Sequence, residues 1–163
     1  MAKITGILAL LFSIVCIFFS VNGSPVKTNG KVIPFKIGNG TLEITHLLIN
    51  ELVLPYDALL RCENIYLGRL VTIYSAVQEA VITEIISTTP LQGKIITAGK
   101  FNIRKFQWEW MTTGEELTYR NFANQLDAEG MCCFKSISAT QNYQWFAYNC
   151  DSERGVYICE VVI

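Results

Sequence analysis

The sequence predicts an α+β domain in which two helices come first and a series of short strands follows. Between residues 55 and 87, two segments place apolar side chains at helical spacing. From about residue 93 onward, short runs rich in β-branched and aromatic residues are separated by turn-forming stretches such as "ATQN" and "DSERG". A chain of 163 residues with this order of elements fits one domain.

The first 23 residues have the pattern of a secretory signal peptide. Lys3 is followed by an apolar run that ends in small residues, and the turn-prone "NGSP" comes next, so we expect cleavage after Gly23 and an extracellular product. The alternative is an uncleaved signal anchor, because the apolar run from Ile4 to Val21 is close to the shortest length that spans a bilayer.

Residues 24–45 are rich in Gly, Asn and Lys and show no steady period, which predicts an exposed N-terminal arm with room for one short strand. The folded domain is then expected over residues 46–163. Asn39 begins an N-glycosylation sequon, which fits a secreted glycoprotein. The chain has 13 basic and 14 acidic residues, so it lacks the positive excess typical of nucleic-acid-binding proteins.

Both helices carry terminal signals in the sequence. Pro55 and Asp57 suit the first turn of the first helix, and Gly68 is placed to cap its C-terminus. Ser75 and Gln78 have the spacing of a capping box at the start of the second helix. The run "TTP" that follows residue 87 should end that helix, because proline cannot continue it.

Besides the short β-rich run "RLVTIYS" between the two helices, six segments have the composition or alternation of strands. The three tryptophans occupy strand positions, where large aromatic side chains more often belong to the core than to a sugar-binding surface. The strand segments are residues 46–53, 93–101, 106–113, 132–138, 143–150 and 155–163.

The cysteine count indicates two disulfides and one leftover thiol. Of six cysteines, Cys16 lies in the predicted signal peptide, and an oxidising compartment would pair four of the remaining five. The adjacent Cys132 and Cys133 are not expected to bridge each other, and strand alternation points them to opposite faces. A zinc site is not expected, because the only histidine, His46, lies far from the other ligands in sequence.

From about Tyr56 to Glu160, the chain resembles a C-type lectin-like domain, most closely the secreted insect forms. The segment "YDALLRCENIYLGRLVTIYSAVQEAVI" is similar to the family's first helix, Gly-x-Leu-Val strand and second helix. The segment "ITAGKFNIRKFQWEWMTTGEELTYRNF" resembles its hydrophobic strand and W-x-W…TG…Y-x-N-W run, with Phe122 in place of the last Trp. The segment "WFAYNC…YICE" resembles its closing pair of strands. The resemblance implies a C-type lectin fold, with two helices, two small antiparallel sheets and disulfides.

The resemblance also implies the disulfide pairing. In the family the helix cysteine pairs with the last one, here Cys62 with Cys159, and a second bridge would join Cys150 to Cys133 or Cys132. We expect Cys133 to be the bridging partner and Cys132 to be the spare. The spare cysteine would then either form a disulfide with a second chain or remain as a buried thiol that packs like a small apolar side chain.

Many members of this family hold Ca²⁺ through a Glu-Pro-Asn or Gln-Pro-Asp triplet and a further acidic residue. The matching positions here are Gln125, Asp127 and Glu129, but Leu126 replaces the proline, whose cis peptide bond shapes the loop. A cis bond costs about 2.5–4 kcal/mol at a residue other than proline. These three residues are candidate ligand-binding groups in a degenerate site, and we expect no metal or other cofactor.

The family's remaining calcium ligands are an Asn-Asp pair that follows the Trp of the penultimate strand. Here Trp145 is followed by Phe146 and Ala147, neither of which has a side-chain oxygen. Phe146 and Tyr148 lie on the strand face opposite Trp145 and are candidates for an exposed binding patch.

These features predict a binding protein rather than an enzyme, since no nucleophile motif or phosphate loop is present and most thiols are expected in bridges. The resemblance implies carbohydrate or microbial-surface recognition, with innate immunity as one setting. The alternative is a calcium-independent protein-binding module of the same fold, as a covalent dimer or as an antagonist in saliva or venom. A membrane-anchored receptor remains an alternative if the signal is not cleaved.

Overall fold

The computed structural model describes residues 31–37 and 40–162. The predicted signal peptide, the alternative anchor and the Asn39 sequon lie outside the described residues. Within them, no helix combines the length and apolar character needed to cross a bilayer. The elements are β1 (Lys31–Ile37), β2 (Gly40–Val53), α1 (Pro55–Asn64), β3 (Arg69–Leu70), α2 (Ala76–Ser87), β4 (Lys94–Asn102), β5 (Gln107–Trp110), β6 (Phe122–Asn124), β7 (Met131–Ser136), a 3₁₀ turn (Ala139–Gln141), β8 (Trp145–Asn149) and β9 (Gly155–Val162).

The strands of the described residues join in one mixed sheet. Its order is β1-β2-β9-β4-β7-β8-β6, with β3 paired to β9 and β5 paired to β4. Most pairs are antiparallel, but β4–β9 and β6–β8 are parallel. The α+β class is confirmed, whereas the expectation of two small antiparallel sheets is wrong, because the parallel β4–β9 contact joins the strands on either side of it into one sheet.

The N-terminal segment is more regular than its composition suggested. Over residues 31–37 and 40–45 the expected arm forms a hairpin, and β2 runs on to Val53 as a 14-residue strand. Residues Ile44 to Ile49 pair in antiparallel register with Val162 to Tyr157 of β9. The hairpin therefore extends the sheet at the edge where β9 would otherwise be exposed.

Helix α1 begins at Pro55, whose missing N–H costs nothing in a first turn, and buries Ala58 and Cys62. Cys62 forms the expected disulfide with Cys159 of β9. Gly68 is not the left-handed cap that the sequence suggested, since Ile65 caps the helix in a right-handed conformation. Gly68 is needed for another reason, because a Cβ there would lie 2.3 Å from the Glu160 carbonyl oxygen.

Helix α2 begins as predicted, at the Ser75 N-cap, whose hydroxyl accepts a hydrogen bond from the Gln78 N–H. The Gln78 side chain accepts from the Tyr74 N–H at 2.7 Å, one residue before the reciprocal bond of a capping box. The helix buries Ile82, Ile85 and Ile86 in the core.

The tryptophans form the centre of the core, as expected from their strand positions. Trp108, Trp110 and Trp145 are each no more than 1% exposed. Trp145 makes edge contacts with Trp110 at 6.1 Å and with Phe122 at 5.5 Å between ring centroids. Phe122, which stands where the family has Trp, therefore still fills an aromatic position beside Trp145.

The two disulfides should contribute unequally to stability, because they close loops of different length. Sequence separations of 97 for Cys62–Cys159 and 18 for Cys132–Cys150 correspond in the chain-entropy model to about 5 and about 3 kcal/mol. We predict that replacing Cys62 and Cys159 with alanine lowers the free energy of unfolding in urea more than the same change at Cys132 and Cys150. An equal or reversed order would contradict this prediction.

Candidate functional site

The adjacent cysteines of β7 are assigned by its register with β8. Cys132 lies opposite Tyr148 and Cys133 lies opposite Ala147. Cys150 is two residues after Tyr148, on the side of β8 that Cys132 faces, and the structure pairs Cys132 with Cys150. The expectation that Cys133 bridges to Cys150 and that Cys132 is the spare is therefore wrong, and Cys132 is not available for the alternative of a bridge to a second chain.

The unpaired thiol, Cys133, lies inside the domain. Its side chain is fully buried, and its Cβ lies only 2.7 Å from where a Cβ on Gly99 would stand. Burial raises the pKa of the Cys133 thiol to about 12, which leaves it protonated at physiological pH. Cys133 therefore packs as a small apolar side chain, the second of the two readings of the spare cysteine.

Beneath β8, a buried carboxylate holds the inner face of the strand. Glu79 of α2 accepts hydrogen bonds from Lys135 of β7, from the Trp145 indole N–H at 3.0 Å and from the Asn121 amide at 3.2 Å. Lys135 also donates to the Tyr143 carbonyl at 2.6 Å. Burial lowers the pKa of Lys135, while the ion pair with Glu79 opposes that shift. The cluster joins α2, β7, β8 and the loop before β6, and it fixes the inward orientation of Trp145.

Of the three loop residues predicted as remnants of a calcium site, the structure brings Gln125 and Asp127 together but not Glu129. Asp127 accepts from the Trp108 indole N–H at 2.6 Å and from the Gln125 amide at 2.7 Å through the same oxygen, Oδ1. Glu129 instead lines a separate cleft beside Tyr56 and Lys100. The Asp127 carboxylate, which stands at a calcium-ligand position of the family, therefore accepts the hydrogen bond of the buried Trp108 indole.

The loop backbone has no cis peptide bond at Leu126, which stands where the family has its cis proline. The peptide bonds of the described residues are all trans, including those around Leu126. Nowhere in the described part of the chain do three or more His, Cys, Asp or Glu side chains come together in a way that could hold a metal ion.

The outer face of β8 presents the second set of predicted residues, and the structure does bring these together. Phe146 and Tyr148 are partly exposed, with ring centroids 6.3 Å apart, and Tyr148 packs against Phe134 of β7 at 5.6 Å. Lys94 of β4 places its Nζ 3.9 Å from the Tyr148 ring centroid and pairs with Glu153. We call Lys94, Phe134, Phe146 and Tyr148 the β8 aromatic face.

The β8 aromatic face borders a shallow hollow of about 70 Å³. Gln141 of the 3₁₀ turn and Ser136 of β7 supply polar groups at this hollow, and their side chains are joined by a hydrogen bond. Sequence reasoning identified Phe146 and Tyr148 but missed Lys94 and Gln141. Their proximity depends on strand order, which no local pattern reveals.

A larger, polar cleft of about 480 Å³ was also missed. It lies between the start of α1, the β4–β5 turn and the loop before β7. Its charged side chains have both signs, so the cleft favours no one charge of ligand. They include Lys100, Arg104, Glu109, Glu129 and Asp151.

The comparisons with known proteins agree with this architecture. No protein-family model and no curated protein matches the sequence. A solved complex of SPL-1 with GlcNAc matches with a TM-score of 0.65 and 20% identity, covering 78% of this chain and 91% of that chain. The Ca²⁺-independent C-type lectin SPL-2 from Saxidomus purpuratus matches with a TM-score of 0.64 and 18% identity, and the match covers 78% of this chain and 90% of that chain. A calcium-independent type II antifreeze protein matches with a TM-score of 0.61 and 18% identity, and the match covers 82% of this chain and 98% of that chain.

These matches confirm the predicted resemblance at the level of the fold. The chain has a C-type lectin-like fold, with two helices and two disulfides arranged around a mixed sheet. The narrower resemblance to secreted insect forms stays a prediction.

The bond between Asp127 and Trp108 generates a stability prediction. Asp127→Ala should lower the free energy of unfolding by about 1–2 kcal/mol, because it removes a charge-assisted acceptor from a buried indole donor. Glu129→Ala is the matched control and should change it by less than about 0.5 kcal/mol. Urea unfolding followed by tryptophan fluorescence measures both. Equal effects of the two substitutions would show that the Asp127 carboxylate is an ordinary solvated group.

Proposed function

We propose that this C-type lectin-like domain is a secreted, calcium-independent carbohydrate-binding module that recognises glycans, including those of microbial surfaces, through the β8 aromatic face. The observation that carries the proposal is that Phe146 and Tyr148 form a partly exposed aromatic pair on β8, where the two positions after Trp145 carry no side-chain oxygen. Phe146 and Ala147 follow Trp145, and Phe146 and Tyr148 face outward together.

Among the residues that the structure describes, the candidate oxygen ligands do not surround a common point, which supports the calcium-independent form of binding. Ca²⁺ takes 6–8 oxygen ligands at short distance. Of the three candidate groups, Gln125 and Asp127 bond to each other and Asp127 also to Trp108, while Glu129 lies at another cleft. A sugar would therefore bind through direct contacts with side chains.

The β8 aromatic face has the chemistry for direct sugar binding. Aromatic rings supply flat apolar area for the C–H face of a pyranose, and nearby donors and acceptors bind its hydroxyls. Phe146 and Tyr148 supply the rings, and Lys94 and Gln141 supply polar groups at the same hollow. The similarity to SPL-2, described as Ca²⁺-independent, and to SPL-1, solved with GlcNAc, agrees with this mode.

A binding role fits the state of the thiol better than catalysis does. Cys133, whose pKa is raised to about 12 by burial, is not a reactive thiolate. The two disulfides fit an oxidising, extracellular setting, in which the predicted signal peptide would place the chain. Innate immunity is the setting that such recognition would serve.

The alternative is a protein-binding module. Its suggested covalent dimer through Cys132 does not fit the structure, because Cys132 is paired within the chain and Cys133 is buried. A non-covalent partner, as for an antagonist in saliva or venom, would use the same fold. A protein ligand that binds in the absence of any sugar would favour this alternative.

We predict that a glycan array identifies ligands whose binding is unchanged by EDTA. Phe146→Ala and Tyr148→Ala should each weaken the best ligand by about tenfold or more, equivalent to about 1.4 kcal/mol, in isothermal titration calorimetry. The matched control is Phe106→Ala, which removes an aromatic side chain that is 70% exposed outside the β8 aromatic face.

Two results would contradict the proposal. Binding that is abolished by the chelator would restore a calcium site, and an equal loss in Phe106→Ala would place the ligand elsewhere. Melting temperatures of the three variants, measured in parallel, show whether a loss of binding reflects a loss of fold.

A further inference from the structure

A cavity of about 540 Å³ lies between α2 and the β2–β9 part of the sheet, away from the β8 aromatic face. Its volume falls within the range of about 300–1,000 Å³ that is typical of small-molecule sites. Aliphatic side chains from β2 and α2 form much of its lining, and three buried polar side chains form another part. The aliphatic residues are Ile44, Val77 and Val81, and the buried polar residues are His46, Thr72 and Glu160.

The aliphatic part of the lining is unusual for a surface that only water covers. Val77 and Val81 are one helical turn apart on α2, and Val77 is 75% exposed. Ile44 faces the cavity from β2. A bound apolar molecule would remove this area from water, which favours binding.

The polar part of the lining already has its charges matched. Glu160, 4% exposed, accepts from the Arg69 guanidinium at 2.7 Å and from the Thr72 hydroxyl at 3.3 Å, through Oε2. Its other oxygen, Oε1, lies 3.5 Å from His46 Nε2. A charged ligand would find no free counter-charge here, so the site favours a neutral head group.

His46 leaves one hydrogen-bonding capacity unused. It is 7% exposed, and its Nδ1 is buried without a hydrogen-bond partner. In the neutral imidazole the hydrogen belongs on Nε2, which faces the Glu160 carboxylate, and Nδ1 is then an acceptor. A buried acceptor without a donor is unfavourable, so a ligand hydroxyl that reaches Nδ1 would satisfy it.

We propose that this cavity is a second ligand site, which binds a small neutral alcohol with an aliphatic body. The aliphatic body contacts Ile44, Val77 and Val81, and the hydroxyl donates its hydrogen to His46 Nδ1. The site is separate from the β8 aromatic face, with which it shares no residue.

The test uses the full chain as secreted, with 1-decanol as the probe alcohol and N-phenyl-1-naphthylamine as a fluorescent competitor. We expect 1-decanol to displace the dye with a Kd below about 100 µM and to raise the melting temperature. Methyl decyl ether, which has the same body but no hydroxyl donor, should bind at least tenfold more weakly. The melting measurement needs no dye, so it decides the outcome even if the dye does not bind.

Two variants locate the site. Val81→Phe fills the cavity from a partly exposed position and should weaken 1-decanol at least tenfold, whereas Leu60→Phe, at an exposed position of α1 outside the lining, should change it less than twofold. His46→Leu should abolish the preference for the alcohol over the ether.

The proposal is overturned if 1-decanol gives neither displacement nor a melting shift, if the ether binds as well as the alcohol, or if Val81→Phe binds like the unaltered protein. Since Val81→Phe retains the buried His46–Glu160 contact, it keeps the test decisive even if His46→Leu does not fold.

Discussion

The antiparallel register of β7 and β8 decides what this domain shows to its surroundings. Because Cys132 lies opposite Tyr148 and Cys133 opposite Ala147, alternate side chains of the two strands are sorted to opposite faces. One face carries the disulfide to Cys150 and the partly exposed rings of Phe146 and Tyr148. The other carries the buried thiol and the tryptophan core. A shift of one residue would exchange these faces and put the wrong cysteine beside Cys150.

A buried ion pair reinforces that register. The Glu79 carboxylate binds Lys135 and the indole of Trp145, which are themselves directly paired across β7 and β8. A buried pair contributes little net stability compared with apolar side chains, but breaking it by removing one partner costs about 3–5 kcal/mol. Only one register places both donors at a single carboxylate of α2, so the cluster selects the native pairing over its alternatives.

Local signals in the sequence were sufficient for the starts of both helices and for the core, but not for the end of α1, where Gly68 is not the cap. The Ser75 cap and the inward tryptophans depend on neighbouring residues and on strand alternation, and the structure has both. The resemblance extended this to the overall fold and to the Cys62–Cys159 bridge. Alternation also separated Cys132 from Cys133, but it could not say which of them faces Cys150, because that depends on how two strands align across a turn.

What sequence reasoning missed is non-local. The N-terminal hairpin forms because β9 offers an edge to β2, although the composition of residues 24–45 suggested an arm. The tie between Asp127 and Trp108 crosses 19 positions, and Lys94 reaches Tyr148 from a strand that is distant in sequence. The cavity beside His46 likewise draws its walls from four parts of the chain. Such contacts follow from the order in which the strands pair, and a short stretch of sequence does not determine that order.

The most direct test of the central claim is peptide mapping of the unreduced protein by mass spectrometry, after alkylation of free thiols in denaturant. The register predicts a peptide pair joined by Cys132 and Cys150, with the alkyl group on Cys133, and fragmentation within the "CC" sequence distinguishes the two positions. A bridge from Cys133 to Cys150, with Cys132 alkylated, would contradict the register and the orientation of the β8 aromatic face that depends on it.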